Sequence, residues 1–380
     1  MKILHLISGL KTGGTELFLE RLLQAMDASE FESAVVSLGQ IGPVGERLRK
    51  RGISVDALRA GFSPAGIVAL FKIGKLARRC EPDLIQGWMY HGNLGASLAR
   101  RVAGRRCPVV WNVRHCLDGW RYETIGLRGL IRLGGRMSGS ANKIIFNSTA
   151  AARQHERLGF PASKALVIPN GIDCGVYKPE QRARDSLRSR LGFSADSLVV
   201  GIVGRYHPVK DHETFLRAAR LVISKVPRAR FILVGRDITS DNPTLAGLID
   251  TLGLKRQVVL LGEREDVPTI MNAMDIYVCS SWAESFPNVV AEAMACGIPC
   301  VVTDVGASAE LVDDTGRIAP SGSPDALAAA VLDLLSIDSN QRAHLGASAR
   351  QRILQFYNHD DIVKQYADLY RRLRESYGTR

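Results

Sequence analysis

The stretch Lys2-Ile-Leu-His-Leu-Ile-Ser-Gly-Leu-Lys-Thr-Gly-Gly-Thr-Glu-Leu-Phe-Leu-Glu-Arg-Leu-Leu-Gln-Ala-Met26 decides the fold class. Ile3 to Ile7 is a short apolar run of strand type. From Glu16 to Met26 the apolar residues Leu17, Phe18, Leu22, Leu23 and Met26 fall at helical spacing. Strand, glycine-rich loop and helix in that order open a βα unit. Further strand-like runs follow at Ala34–Leu38, Leu84–Gln86, Val109–Val113, Ile144–Phe146 and Leu166–Ile168, with a helical segment at Pro64–Arg79. The pattern restarts after Pro169-Asn170-Gly171 and Pro179, with strands at Val199–Val203, Phe231–Val234, Val258–Leu261, Ile276–Cys279 and Cys300–Thr303. Helical segments lie at Asp211–Val226, Pro287–Ala295, Pro324–Leu335, Gln341–Phe356 and Asp360–Tyr377. Such alternation predicts an α/β protein of two Rossmann-like, doubly wound parallel-sheet domains, residues 1–169 and 170–357. A C-terminal helix, 358–380, is expected to pack back towards the first domain. Ligands of open parallel sheets gather at the carboxyl ends of the strands, so functional residues are sought there.

Composition narrows the class. With 380 residues, 46% apolar and 23% charged, the chain is too hydrophobic for disorder, and it lacks the self-similarity of a solenoid. Its apolar runs stop far short of the roughly 18 residues that span a bilayer. Met1 leads straight into a strand with no small-residue cleavage site, so a cytoplasmic protein is expected. Seven scattered cysteines show no Cys-x-x-Cys spacing and read as reduced thiols. The net charge of +12 is uneven. Residues 1–178 hold 26 Lys and Arg against 13 Asp and Glu, whereas the remainder is nearly neutral. The pairs Arg78-Arg79, Arg100-Arg101 and Arg105-Arg106, with Arg128, Arg132 and Arg136 at helical spacing, suit an anionic membrane surface. An aromatic fraction of 6% and no recognisable module argue against nucleic acid.

Three segments carry candidate chemistry. The loop Ser8 to Glu16 lets backbone approach a ligand, but its spacing matches neither a dinucleotide fingerprint nor an ATP-binding loop. In Glu284-Ser-Phe-Pro-Asn-Val-Val-Ala-Glu292, Pro287 suits the first helical position and leaves the amides of Asn288 and Val289 open to an anion such as a diphosphate. Glu292 lies one turn further on the same face, and Glu284 sits in the loop before the helix. Gly204-Arg-Tyr-His-Pro-Val-Lys-Asp211 supplies cations: Arg205 as a fork on phosphate oxygens and Lys210 as a point charge. With those two cations no metal is required.

Together these segments resemble the retaining, nucleotide-sugar-dependent glycosyltransferases of family 4, whose GT-B arrangement sets two Rossmann-like domains about a central cleft. The resemblance runs through Gly13-Gly14-Thr15-Glu16, Gln86-Gly-Trp-Met-Tyr-His91, Trp111-Asn-Val-Arg-His115, Ile168-Pro-Asn-Gly-Ile-Asp173, Gly204-Arg205 with Lys210-Asp211, Leu261 to Asp266, and Glu284 to Pro299. It implies that Arg205 and Lys210 hold the donor diphosphate, that Glu292 binds ribose hydroxyls and that Glu284 contacts the donor sugar. Amides from Phe286 through Pro287 and Asn288 to Val289 would bind phosphate or sugar. Gly13 and Gly14 would approach the phosphate, and Arg264 would belong to the nucleobase wall. A first-domain histidine near the anomeric carbon matches His115, with Arg114 as the alternative; His91 reads either as a second residue there or as a buried structural histidine. Ser285 departs from the glycine common at its position, and a positive φ there would strain a serine. The resemblance further implies a metal-independent transfer of a hexose from a UDP-sugar, with GDP- and ADP-sugars as alternatives. The acceptor would be a lipid-linked saccharide of O-antigen or capsule type, met by a protein peripheral on the inner leaflet. A sugar-nucleotide epimerase of the same shape and a non-catalytic sugar-nucleotide-binding protein are the rival readings.

Overall fold

The computed structural model describes residues 1–58, 66–104 and 106–378. Arg105 and the first residues of the expected Pro64–Arg79 helix lie outside them. Two compact units are distinguished, Met1–Asn170 with Asp360–Arg380, and Gly171–His359.

The first unit runs β1 (Lys2–Ile7), α1 (Gly14–Ala25), β2 (Glu32–Ser37), α2 (Gly42–Lys50), β3 (Ser54–Ala57), α3 (Gly66–Cys80), β4 (Leu84–Trp88), α4 (Met89–Ala103), β5 (Val109–Val113), α5 (Ile125–Met137), β6 (Lys143–Phe146), α6 (Thr149–Glu156) and β7 (Ala165–Val167). Its sheet is ordered β3-β2-β1-β4-β5-β6-β7, all pairs parallel. Alternation along β1 divides the core: Ile3 and Ile7 join one apolar cluster, Leu4 and Leu6 the other, as a sheet covered on both faces requires.

The second unit contains α7 (Gln181–Arg190), β8 (Leu198–Val203), α8 (His212–Lys225), β9 (Ala229–Val234), α9 (Pro243–Thr251), β10 (Val258–Leu260), α10 (Val267–Asn272), β11 (Ile276–Cys279), α11 (Asn288–Ala295), β12 (Cys300–Thr303), α12 (Ser308–Val312), β13 (Arg317–Ala319), α13 (Pro324–Ser336) and α14 (Ser339–Phe356). Its parallel sheet is ordered β10-β9-β8-β11-β12-β13. In both sheets the order reverses beside the first strand, between β1 and β4 and between β8 and β11, which are the places where such folds open a crevice.

The last helix, α15 (His359–Gly378), closes the first unit. Its Ile362, Val363, Tyr366 and Tyr370 share a core with Ile3, Phe18 and Trp88, and Tyr366 stacks on Trp88 with ring planes 14° apart. The Tyr366 hydroxyl accepts from Asn112 Nδ2 and Arg114, and Tyr370 donates to Gln86. The elements missed by periodicity are short, charged or rich in small residues. Thus β3 has four residues, α2 carries Glu46, Arg47, Arg49 and Lys50, and α4 starts directly from β4 through Met89 at φ +59.

Candidate functional site

The end of β8 and the end of β11 are neighbours at the second unit's crossover, and their loops bring the second-unit charges together. After β8 the chain turns through exposed Arg205 to a short 3-10 turn, Pro208–Lys210, capped by the His207 ring accepting from the Val209 amide. Lys210 Nζ lies 2.5 Å from Glu284 Oε1. The same oxygen accepts from the Ser281 hydroxyl at 2.8 Å and takes a longer contact from Cys279 Sγ at 3.9 Å. Both partners are mostly buried, with side chains 25% and 12% exposed. Burial works against the Lys210 charge. The Glu284 carboxylate outweighs it and holds the ammonium above the ordinary lysine pKa, so Lys210 stays cationic. Arg205 and Lys210 are close enough to repel one another, and with burial they push His207 down, leaving it neutral beside two cations.

What fixes this cluster is the pair Ser280-Ser281, which periodicity and charge gave no reason to single out. Ser280 Oγ donates to the Lys210 and Asp211 carbonyls at 2.9 and 3.0 Å, Ser281 Oγ holds Glu284, and Thr303 Oγ1 donates to the Ser281 carbonyl at 2.6 Å. The Trp282 amide donates to the Val209 carbonyl. Cys279 is buried, and its thiol is pushed up to about 11, which makes it inert. A signal was present in the sequence: two hydroxyl residues immediately follow a buried strand and precede the glutamate.

Pro287 is the N-cap of α11 and not, as expected, its first helical residue. Helical bonding begins with the Val290 and Ala291 amides on the Pro287 carbonyl, so the amides of Asn288 and Val289 precede it. The Phe286 ring is core, 5.5 Å from the Tyr357 ring, leaving only its backbone to meet a ligand. Glu292 is buried on α11. Ser285 is absent from the residues with positive φ, so the strain considered for it does not arise. The glycine requirement sits instead at Gly306, φ +54, where a Cβ would lie 1.3 Å from the Glu284 carbonyl oxygen. Arg264 is turned onto Asp266 of its own loop, with two contacts of 2.7 Å.

In the first unit, Gly13 is the extended N-cap of α1 and Gly14 its first residue, with no side-chain cap on the helix. His91 is half-buried near the start of α4, its pKa lowered by burial. Arg114 and His115 follow β5 and have different surroundings. Arg114 is buried; its guanidinium donates to Asn170 and Tyr366 and lies 3.5 Å over the Phe18 ring, a packing role. His115 is partly exposed. Its Nδ1 is 3.0 Å from the Tyr90 hydroxyl and its Nε2 2.9 Å from Glu123 Oε1. Burial lowers its pKa and Glu123 opposes that.

A cavity of about 620 Å³ in the second unit lies elsewhere, at the starts of β11 and β12, lined by Arg184, Asp275, Gly297 and Arg350. Its arginines donate to Asp275 and to backbone carbonyls. Among the described residues no three His, Cys, Asp or Glu converge as a metal site, and no helix is long and apolar enough to cross a membrane.

Two parallel-sheet α/β units of seven and six strands are the fold of the GT-B glycosyltransferases, to which this chain is similar in structure. Residues 12–176 match the model described as Glycosyltransferase Family 4, and residues 197–337 the one described as Glycosyl transferases group 1. The chain therefore belongs to the family 4 type of glycosyltransferase. It is 26% identical over 319 residues to the N-acetyl-alpha-D-glucosaminyl L-malate synthase of Bacillus anthracis, covering 81% of this chain and 80% of that one. It is 26% identical over 273 residues to the UDP-Gal:alpha-D-GlcNAc-diphosphoundecaprenol alpha-1,3-galactosyltransferase of Escherichia coli, covering 68% and 69%. Among solved structures, Anabaena Alr3699/HepE in complex with UDP and glucose superposes with a TM-score of 0.83 at 27% identity, covering 97% of this chain and 99% of that one. The same protein is also known in complex with UDP-glucose.

Proposed function

We propose that this chain transfers a hexose from a UDP-sugar to an acceptor hydroxyl with retention at the anomeric carbon and without a metal ion. The observation that carries this reading is the Lys210–Glu284 pair beside Arg205 at the β8/β11 crossover. As the glycosidic bond breaks, negative charge grows on the β-phosphate. Arg205, Lys210 and the first amides of α11 are preorganised donors for it, worth more in the transition state than in the ground state. Glu284, with Oε1 taken by Lys210 and Ser281, offers Oε2 to the sugar hydroxyls; Glu292 binds the ribose. Gly13 and Gly14 serve the donor phosphate, and His91 and His115 the sugar and acceptor side, with Arg114 held in the core by Tyr366 and Asn170. The second unit is thus the donor domain and the first the acceptor domain. UDP is preferred over GDP and ADP because Alr3699/HepE, at comparable length, is known with UDP-glucose.

The acceptor is read as a lipid-linked saccharide of a surface polysaccharide, in keeping with the diphosphoundecaprenol substrate in the name of the E. coli relative. The solvent face of α5 supports a peripheral position on the cytoplasmic leaflet. Ile125 is 88% exposed, Leu133 44% and Met137 42%, and Arg132 and Arg136 share that face. No acidic residue occurs on α5, so the surface is both apolar and cationic, as docking on anionic lipid requires.

The deciding experiment is a donor screen with UDP-, GDP- and ADP-hexoses, read by thermal shift and by mass spectrometry of products. A selective shift with UDP-sugars and acceptor-dependent product is the expected result. A free isomerised sugar formed without acceptor would make the protein an epimerase, and binding without turnover would make it a non-catalytic sugar-nucleotide-binding protein.

A further inference from the structure

The cavity at the starts of β11 and β12 lies at the opposite end of the second sheet's strands from Lys210 and Glu284, and the proposed transfer makes no use of it. Four segments line it: residues 179–184 leading into α7, 272–275 before β11, 296–299 before β12, and one face of α14. Its volume of about 620 Å³ is that of a small-molecule site. On α14 the exposed Ala343 and Ala347 leave open the space between Arg342 and Arg350, whose Cα atoms the helical rise sets about 12 Å apart along the axis.

The lining is cationic. Arg184, Arg342 and Arg350 stand on it against two carboxylates, Glu180 and Asp275. Asp275 is already answered on both oxygens: Oδ1 takes Arg184 at 2.5 Å, and Oδ2 takes Arg188 at 3.3 Å and the Val199 amide at 2.7 Å. Backbone carbonyls, not carboxylates, hold the other two arginines. Arg342 Nη1 donates to the Leu334 and Ile337 carbonyls at 2.9 and 3.0 Å. Arg350 Nη1 donates to the Tyr177 carbonyl at 3.0 Å and to that of Ala295, and its Nη2 to the Cys174 carbonyl at 3.4 Å. A carbonyl fixes a guanidinium without cancelling its charge. It also leaves donors over, since the guanidinium has five N–H groups. Among the described residues Arg342 engages through Nη1 alone, which leaves Nε and Nη2, and Arg350 leaves Nε. Anchored guanidiniums with unspent donors on a cavity wall are suited to phosphate oxygens.

We propose that this cavity is a second anion site, separate from the donor end, for a phosphorylated small molecule of up to nucleotide size. Arg342 and Arg350 supply its charge, and the short side chains of Ala343 and Ala347 supply its room.

Calorimetric titration of the full chain with inorganic pyrophosphate at low salt tests this. The double variant Arg205→Ala/Lys210→Ala strips the donor end of its cations, and a pyrophosphate site is expected to remain in it. Adding Ala347→Glu puts a carboxylate into the cavity at an exposed helical position that glutamate suits. Adding Arg342→Gln instead removes one cation. Each should weaken the remaining site about tenfold or more while circular dichroism stays native. A natively folded double variant that binds no pyrophosphate would overturn the proposal, and so would binding that neither Ala347→Glu nor Arg342→Gln alters. Neither outcome touches the glycosyltransferase reading, because no turnover is measured.

Discussion

Lys210 and Glu284, 74 positions apart, meet at 2.5 Å, and a third residue, Ser281, sits on the same carboxylate oxygen. The ammonium is thereby held charged, and both contacts fall on one oxygen of the carboxylate. Because the Lys210 pKa is raised, the ammonium persists through neutral pH and is lost only above the ordinary lysine range.

Lys210→Ala is expected to lower kcat on the order of a hundredfold, about 3 kcal/mol of transition-state stabilisation, while circular dichroism stays native. Near-normal turnover by the folded variant would remove Lys210 from the mechanism.

Ser281→Ala deletes one donor to Glu284 but leaves Lys210 in place. A hydrogen bond to a charged group contributes about 2 kcal/mol, so donor affinity should weaken about tenfold or more with little change in melting temperature. Calorimetric titration with UDP-glucose checks it; unchanged affinity would mean that Lys210 alone positions the carboxylate.

Gly306→Ala forces a Cβ onto the Glu284 carbonyl at a left-handed φ. The variant should lose donor binding and melt earlier, and a wild-type melting curve would show that the loop has room to move.

Acid stability follows from buried histidines. Burial pushes His5 down to about 3 and His155 and His212 to about 4. The unfolded chain binds these protons near pH 6.5 and the folded one does not, so stability is full above about 6.5 and falls as pH drops towards 4. Each histidine contributes a slope of about 1 kcal/mol per pH unit in that window. Denaturant titrations from pH 7 to 4 should show the decline. His212→Gln should flatten it, and an unaltered slope would sink the assignment to burial.

Flotation with vesicles of phosphatidylglycerol and phosphatidylcholine tests the α5 face. Wild type should float at low salt and not with phosphatidylcholine alone. Replacing Ile125 and Leu133 together by Asp should abolish flotation without affecting donor binding, and persistence would move any lipid contact elsewhere.

The sequence by itself determined the alternation of strand and helix, because backbone periodicity is written in neighbouring residues. It also singled out the loops at the strand ends, since glycine, proline and charge there are local signals. Tertiary structure alone decided which side chains meet in a hydrogen bond or an ion pair. Glu123, His115, Tyr90 and His155 arrive from a loop, a strand end and two helices, and Arg114 and His115, adjacent in sequence, take up a packed interior and a partly exposed position respectively. The closure of the first sheet by α15 was of the same kind: Tyr366 reaches Asn112 across 254 positions. Hydrogen-bond partners so far apart leave no periodic trace, because each is chosen by the packing of whole elements and not by the residues beside it.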